Sequence, residues 1–211
     1  QQGVANVLYL NDGSGRFHRG AAGPLTAVQG STFAVATLDA DRDGDNDIVT
    51  SSLEGNAVFQ RLYLNDGHGM FTVGDGGALG AISYSAWDIL AVDLDRDGDS
   101  DLVIATDGAG AILLNDGRGR FTQTGAGAFY NLRSSRVAAF DADGDNDLDL
   151  IVRTIVGELK LLLNNGATQF SLSQTSNLQG VAGVEGWALL DINRDGAVDI
   201  VAGRQNQTGA L

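Results

Sequence analysis

The chain has 211 residues, 43% of them hydrophobic, and 13 basic against 27 acidic side chains give it a formal net charge of −14 at pH 7. That length buries one core, so a single domain spanning 1–211 is expected, and the negative surface weighs against nucleic acid or an anionic membrane as partner. Cysteine is absent, which excludes disulfides, thiolate zinc sites and a thiol nucleophile; no stretch is apolar enough to insert in a bilayer, and residues 1–30 lack the pattern of a signal peptide.

In chain order, the first expected elements are two strands, 4–10 and 17–18, on either side of Asn11-Asp12-Gly13-Ser14-Gly15. Asn, Asp and Gly accept positive φ and so favour a tight hairpin. A small-residue link holding Pro24, the single proline, leads to a β-branched and aromatic run at 33–38, then to the acidic loop 39–47. A second short run, 47–50, a longer one, 57–64, another Asn-Asp-Gly turn and 70–73 complete a unit of four strands, here A, B, C and D. The acidic loop joins A to B, and the Asn-Asp-Gly turn joins C to D. Thirty glycines and no sustained 3.6-residue apolar period leave almost no room for helix.

The unit recurs. Acidic loops of the form Asp-x-Asp/Asn-x-Asp-Gly/Asn-x-x-Asp start at Asp39, Asp93, Asp141 and Asp191, spaced 54, 48 and 50 residues apart. Leu-Asn-Asp-Gly blocks start at Leu10, Leu64 and Leu114, with a worn copy, Leu163-Asn164-Asn165-Gly166, after them. Four antiparallel strands repeating about every fifty residues predict an all-β propeller. The chain opens on a C–D pair and closes on an A–B pair, 187–190 and 199–202, so residues 3–20 plus 184–207 are expected to form a shared closing blade, the fourth. Closure hides strand edges that would otherwise invite aggregation.

The acidic loops carry the chemistry. Calcium takes six to eight hard oxygen ligands, and alternating Asp residues in a tight loop supply them from one side of the backbone. The expected ligands are the side chains of Asp39, Asp41, Asp43 and Asp47 with the Asp45 carbonyl; Asp93, Asp95, Asp97 and Asp101 with the Asp99 carbonyl; Asp141, Asp143, Asp145 and Asp149 with the Asp147 carbonyl; and Asp191, Asn193, Asp195 and Asp199 with the Ala197 carbonyl. Gly44, Gly98 and Gly196 stand at the sixth position, where positive φ is expected, with Asn146 in the third copy. The twelfth position holds Thr50, Ile104, Val152 and Ala202 rather than the Glu of a helix–loop–helix calcium site. Four copies at one strand position outweigh the alternative of plain solvated turns, because crowded carboxylates repel one another without a cation. Magnesium, which sheds water reluctantly, fits such a cage less well.

Elsewhere the plain structural reading is preferred. Phe17, Phe71, Phe121 and Phe170 are expected to pack between blades, Trp87 and Trp187 to sit in the core, and His18 and His68 to lie at the surface. Asn206-Gln207-Thr208 is a single glycosylation sequon.

The acidic loops, with the Leu-Asn-Asp-Gly blocks, resemble the FG-GAP and VCBS repeats of the β-propeller in integrin α subunits and many secreted bacterial proteins. The resemblance implies calcium in each A–B loop, four ions in all. It also implies an extracellular, non-catalytic role in adhesion or in recognising a protein or glycan ligand. Alternatives are a lectin using residues such as Tyr84, Trp87 and Tyr130, an accessory propeller of a polysaccharide-active enzyme, and a subunit that self-assembles by strand exchange. Catalysis is disfavoured by the lack of a nucleophile motif. Seven blades are usual for that family, so four is a departure.

Overall fold

The computed structural model describes residues 4–21, 23–125, 127–178 and 180–205. Among them the chain is almost wholly β. It opens with β1 (Val4–Ala5), β2 (Tyr9–Asn11) and β3 (Phe17–Arg19); the first complete unit is β4 (Gln29–Leu38), β5 (Asp47–Glu54), β6 (Ala57–Asn65) and β7 (Phe71–Val73). A short β8 (Gly76–Gly77) precedes the second unit, β9 (Ala86–Val92), β10 (Asp101–Thr106), β11 (Ala111–Asn115) and β12 (Arg120–Gln123). The third is β13 (Ser134–Phe140), β14 (Asp149–Thr154), β15 (Leu159–Asn164) and β16 (Phe170–Leu172), and β17 (Val184–Leu190) and β18 (Asp199–Arg204) follow.

Each complete unit is a meandering antiparallel sheet in the expected order A-B-C-D. The acidic loops close A–B hairpins whose first pairs are Leu38↔Asp47, Val92↔Asp101, Phe140↔Asp149 and Leu190↔Asp199. The Asn-Asp-Gly turns close C–D hairpins, with Asp66 N–H donating to the Met70 carbonyl at 3.1 Å and Asp116 N–H to that of Arg120 at 3.2 Å. In the worn copy Thr168 takes φ +54° at the position that Gly69 and Gly119 fill elsewhere.

Successive sheets stack face to face. Val49 and Leu62 of the first unit pack with Ile89, Leu102 and Leu113 of the second. Val103 and Ile112 pack with Val137, Leu150 and Leu162 of the third. Ile151 and Leu159 pack with Val184 and Trp187 of β17. Fully burying each such aliphatic side chain contributes about 1.5–3 kcal/mol. Polar bonds fix the stacking: Ala86 N–H donates to Ser51 Oγ at 2.9 Å, and Val137 N–H to Asp88 Oδ2 at 3.0 Å.

The structure corrects several expectations. Residues 4–10 are not one strand: β1 pairs with the start of β4, and only Tyr9–Asn11 joins the C–D hairpin. β2–β3 and β17–β18 are separate two-stranded sheets, so among the described residues the closing blade is not formed; residues 3, 206 and 207, and with them the sequon, lie outside those described. β8 lies parallel to β12, a crossover that two glycines gave no means to foresee. Pro24–Ala27 forms one helical turn, with two 3-10 turns at Ala78–Ala81 and Gly127–Asn131. Phe121 and Phe170 are buried, but Phe17 is 65% exposed; Trp187 is buried, but Trp87 is 52% exposed. His18 and His68 lie at the surface.

Candidate metal centres

The four acidic loops share one backbone shape, and their own side chains impose it. The first Asp accepts the sixth residue's N–H: Gly44 to Asp39 and Gly98 to Asp93 at 3.1 Å, Asn146 to Asp141 and Gly196 to Asp191 at 3.0 Å. The third residue accepts the fifth N–H and the fifth accepts the seventh, as in Asp95 Oδ1 to Asp97 N–H at 3.2 Å and Asp97 Oδ1 to Asp99 N–H at 2.9 Å. The sixth residues have positive φ, from +67° at Asn146 to +91° at Gly44, where Gly or Asn is least strained.

The ninth Asp is the hub between the two motifs. Asp47 accepts Ala40 N–H and Asn65 N–H, both at 2.8 Å. Asp101 accepts Leu94 and Asn115 N–H at 2.8 and 2.9 Å, and Asp149 accepts Ala142 and Asn164 N–H, both at 2.8 Å. These three carboxylates are completely buried, which pushes their pKa values upward, that of Asp101 to about 6, against the opposing pull of the two N–H donors. In calcium-free protein the neutral form of Asp101 therefore prevails only below about pH 6. Its contribution to stability is full below the unfolded value near 3.8 and is lost as pH rises through about 6. Urea midpoints in chelator are expected to fall over that window, and a flat or rising profile would contradict it.

Three loops gather carboxylates closely enough for one ion. Ligand oxygens of Asp39, Asp41 and Asp43, of Asp93, Asp95 and Asp101, and of Asp141, Asp143 and Asp149 lie within 4.8 Å of one another in each set. In the first two, Asp39 Oδ1 and Asp93 Oδ1 are buried with no hydrogen-bond donor. A buried anionic oxygen without a donor is costly, and an all-oxygen, carboxylate-rich set is what a hard divalent cation takes; the residues fit calcium. Among the described residues the fourth loop has no such triad. There Asn193 Nδ2 donates to Asp195 Oδ2 at 2.9 Å, and the N–H of Ala197 lowers the pKa of Asp195.

The seventh residue, expected to offer a carbonyl, also uses its side chain. Arg42 of the first loop forms an ion pair with Asp99 of the second and donates to the Asp97 carbonyl at 3.0 Å; Arg96 pairs with Asp147 of the third at 2.6 Å. Both arginines hold φ +63°, a left-handed conformation that costs a residue with a Cβ about 1–2 kcal/mol. The signal was legible: a basic fourth residue faces an acidic seventh residue one repeat later, and where Gly144 lacks the charge, Ala197 lacks it too. The same Asp side chains lie over the turn glycines of their own sheets. A Cβ on Gly117, at φ +68°, would stand 2.6 Å from Asp99 Oδ2. Gly117→Ala is expected to cost about 2 kcal/mol from backbone strain and displacement of Asp99, read as a lower urea midpoint.

The model of the FG-GAP-like repeat family matches this chain over residues 93–152 and again over 141–202. No curated protein matches. Among solved structures, the chain is similar to an Agrocybe aegerita lectin described for specific recognition of non-reducing terminal N-acetylglucosamine. The two are 16% identical with a TM-score of 0.48, over 95% of this chain and 69% of that one.

Proposed function

The chain belongs to the FG-GAP-like repeat family, and on that premise we propose that it is a non-catalytic, calcium-stabilised β-propeller module that recognises a ligand outside the cell. The observation carrying this reading is the pair of buried, donorless oxygens, Asp39 Oδ1 and Asp93 Oδ1, each within a loop rich in carboxylates. Calcium there would neutralise the loops and lock each A–B hairpin to the adjoining Asn-Asp-Gly turn through Asp47, Asp101 and Asp149. Modules that work outside the cell hold calcium with dissociation constants of about 0.1–1 mM, which three or four carboxylates on a flexible loop suit. The carboxylates whose pKa burial raises, Asp47, Asp95, Asp101 and Asp149, all lie in the loops, which supports a structural rather than catalytic use of the acidic residues. The reading includes a fourth blade, built from a β2–β3 pair and a β17–β18 pair.

Glycan recognition is the second reading, and one observation favours it. Tyr84 and Tyr130, both about half exposed, border one cleft with Gln123, and aromatic faces beside an amide suit a sugar ring. Calcium-loaded protein on a glycan array separates the two. Hits that disappear in Tyr130→Ala support the glycan reading; a blank array, with capture of a protein ligand that chelator abolishes, supports the first. Turnover of a polysaccharide that survives loss of the loop carboxylates would overturn both.

A further inference from the structure

The acidic loops of successive sheets touch one another through residues that are not themselves expected ligands, and they do so unequally. Arg42, the fourth residue of the first loop, stands between Asp41 and Asp43. Its guanidinium pairs with Asp99 and donates from Nη2 to the Asp97 carbonyl at 3.0 Å. It therefore grips both sides of Gly98, the residue at φ +90° on which the second loop turns. Asp97 is an expected ligand there and Asp99 would lend its carbonyl, so the segment that Arg42 holds is the ligand segment.

A second bridge joins the same two loops through buried groups. Ala40, fully buried in the first loop, accepts at its carbonyl Asn115 Nδ2 at 2.9 Å and Gly119 N–H at 2.7 Å, both from the turn of the second sheet. Ala40 N–H donates to Asp47 at 2.8 Å, and Asn115 N–H to Asp101 at 2.9 Å. One line of hydrogen bonds thus runs from the hub carboxylate of the first loop, through Ala40 and Asn115, to that of the second.

The joint between the second and third loops is thinner. Arg96 pairs with Asp147 at 2.6 Å, but among the described residues no bond from Arg96 to the Asp145 carbonyl accompanies it. Asn164, the counterpart of Asn115, turns its Nδ2 back to the Leu148 carbonyl of its own loop at 3.2 Å. Among the described residues the Leu94 carbonyl, counterpart of that of Ala40, takes no N–H from the third sheet's turn. The Asp99 side chain is 3% exposed against 20% for Asp147, and a buried carboxylate depends on its partner more than one that water can reach.

We propose that calcium binds cooperatively at the first two loops, with Arg42 and Asn115 as positioning residues through which an ion at one loop prepares the other, and that the second and third loops are coupled more weakly. The proposal rests on the calcium reading above. An ion on Asp39, Asp41 and Asp43 fixes the backbone on either side of Arg42, and a fixed Arg42 holds the Asp97–Asp99 segment in place. The second ion then has less of its own loop left to order, which is positive coupling without a change of fold. By linkage, the second ion favours the first by the same factor. Repulsion between two bound ions works against this, and at exposed loops salt screens it.

The amide resonances of Gly44, Gly98 and Asn146, the sixth residues of the three loops, report each site separately as calcium is added to isotope-labelled protein in about 0.15 M salt. Asp39→Asn keeps an acceptor for Gly44 N–H and removes the carboxylate, which disables the first site. It should raise the calcium midpoint at Gly98 by about fivefold, and Asp93→Asn should raise that at Gly44 by the same factor. Asp93→Asn should move the midpoint at Asn146 by less than about twofold. In Arg42→Asn, whose side chain tolerates the left-handed backbone and is too short to reach Asp99, adding Asp39→Asn should no longer move Gly98. A Gly98 response undiminished in Arg42→Asn, or equal coupling at both joints, overturns the proposal. Calcium shifts at all three amides with midpoints indifferent to the neighbouring loop overturn it while leaving the metal reading intact. No calcium shift at any of the three sinks the metal reading itself, and this inference with it.

Discussion

Asp101→Ala is expected to destabilise the protein by about 4 kcal/mol, because it leaves two buried N–H donors, those of Leu94 and Asn115, without an acceptor at about 1–3 kcal/mol each. The loss should appear in calcium and in chelator alike, since both donors lose their acceptor in either. Asp101→Asn preserves one acceptor and the side-chain shape, so it should cost less stability while still weakening the metal set that Asp101 shares with Asp93 and Asp95. Asp199→Ala supplies the contrast. Asp199 is only partly buried and serves one exposed N–H, so in isolated chains its removal should cost less than about 1 kcal/mol. Urea unfolding of the three variants checks this ranking, and equal losses at Asp101 and Asp199 would mean that the bridge from acidic loop to turn is not what holds a sheet together.

Removing calcium from protein held at a hundred times the site dissociation constant, about 10–100 mM for sites of 0.1–1 mM, should lower the melting temperature by about 20 °C. A ligand at a hundred times its dissociation constant stabilises the folded state by about 2.7 kcal/mol per site, so three sites give about 8 kcal/mol. For a domain of this length each kcal/mol moves the melting temperature by about 2–4 °C. The shift should be reversed by calcium and only weakly by magnesium, which needs a tighter octahedral cage and retains its waters. A melting curve unchanged in excess chelator would leave the loops as solvated turns.

Much of this was legible because the repeats write their local chemistry openly. Alternating β-branched runs gave the strands, and Asn-Asp-Gly gave the C–D turns. Gly44, Gly98 and Gly196 marked one of the two positive-φ residues of their loops, and Asn146 served in the third as expected. What the sequence concealed was non-local. Nothing in residues 4–10 says that Val4–Ala5 will leave the C strand for the edge of β4, since that depends on which edge is free in space. Trp87 reads as core by type and is exposed because burial depends on which face of strand A meets the preceding sheet. The ninth Asp was read as a metal ligand alone. Its second role as acceptor for the Asn turn links groups 14 to 18 residues apart, which becomes visible only once strands B and C are in register. Arg42 and Arg96 were passed over because their partners lie a full repeat away.

Calcium bound per chain, counted by elemental analysis after equilibrium dialysis of metal-stripped protein, tests the central claim most directly. Three ions should bind at the loops beginning at Asp39, Asp93 and Asp141, with a fourth, weaker one where Asn193 replaces an aspartate. Fewer than two ions at about 10 mM calcium, ten times the weakest dissociation constant expected, or the same uptake after the carboxylates of those loops are replaced by amides, would contradict it.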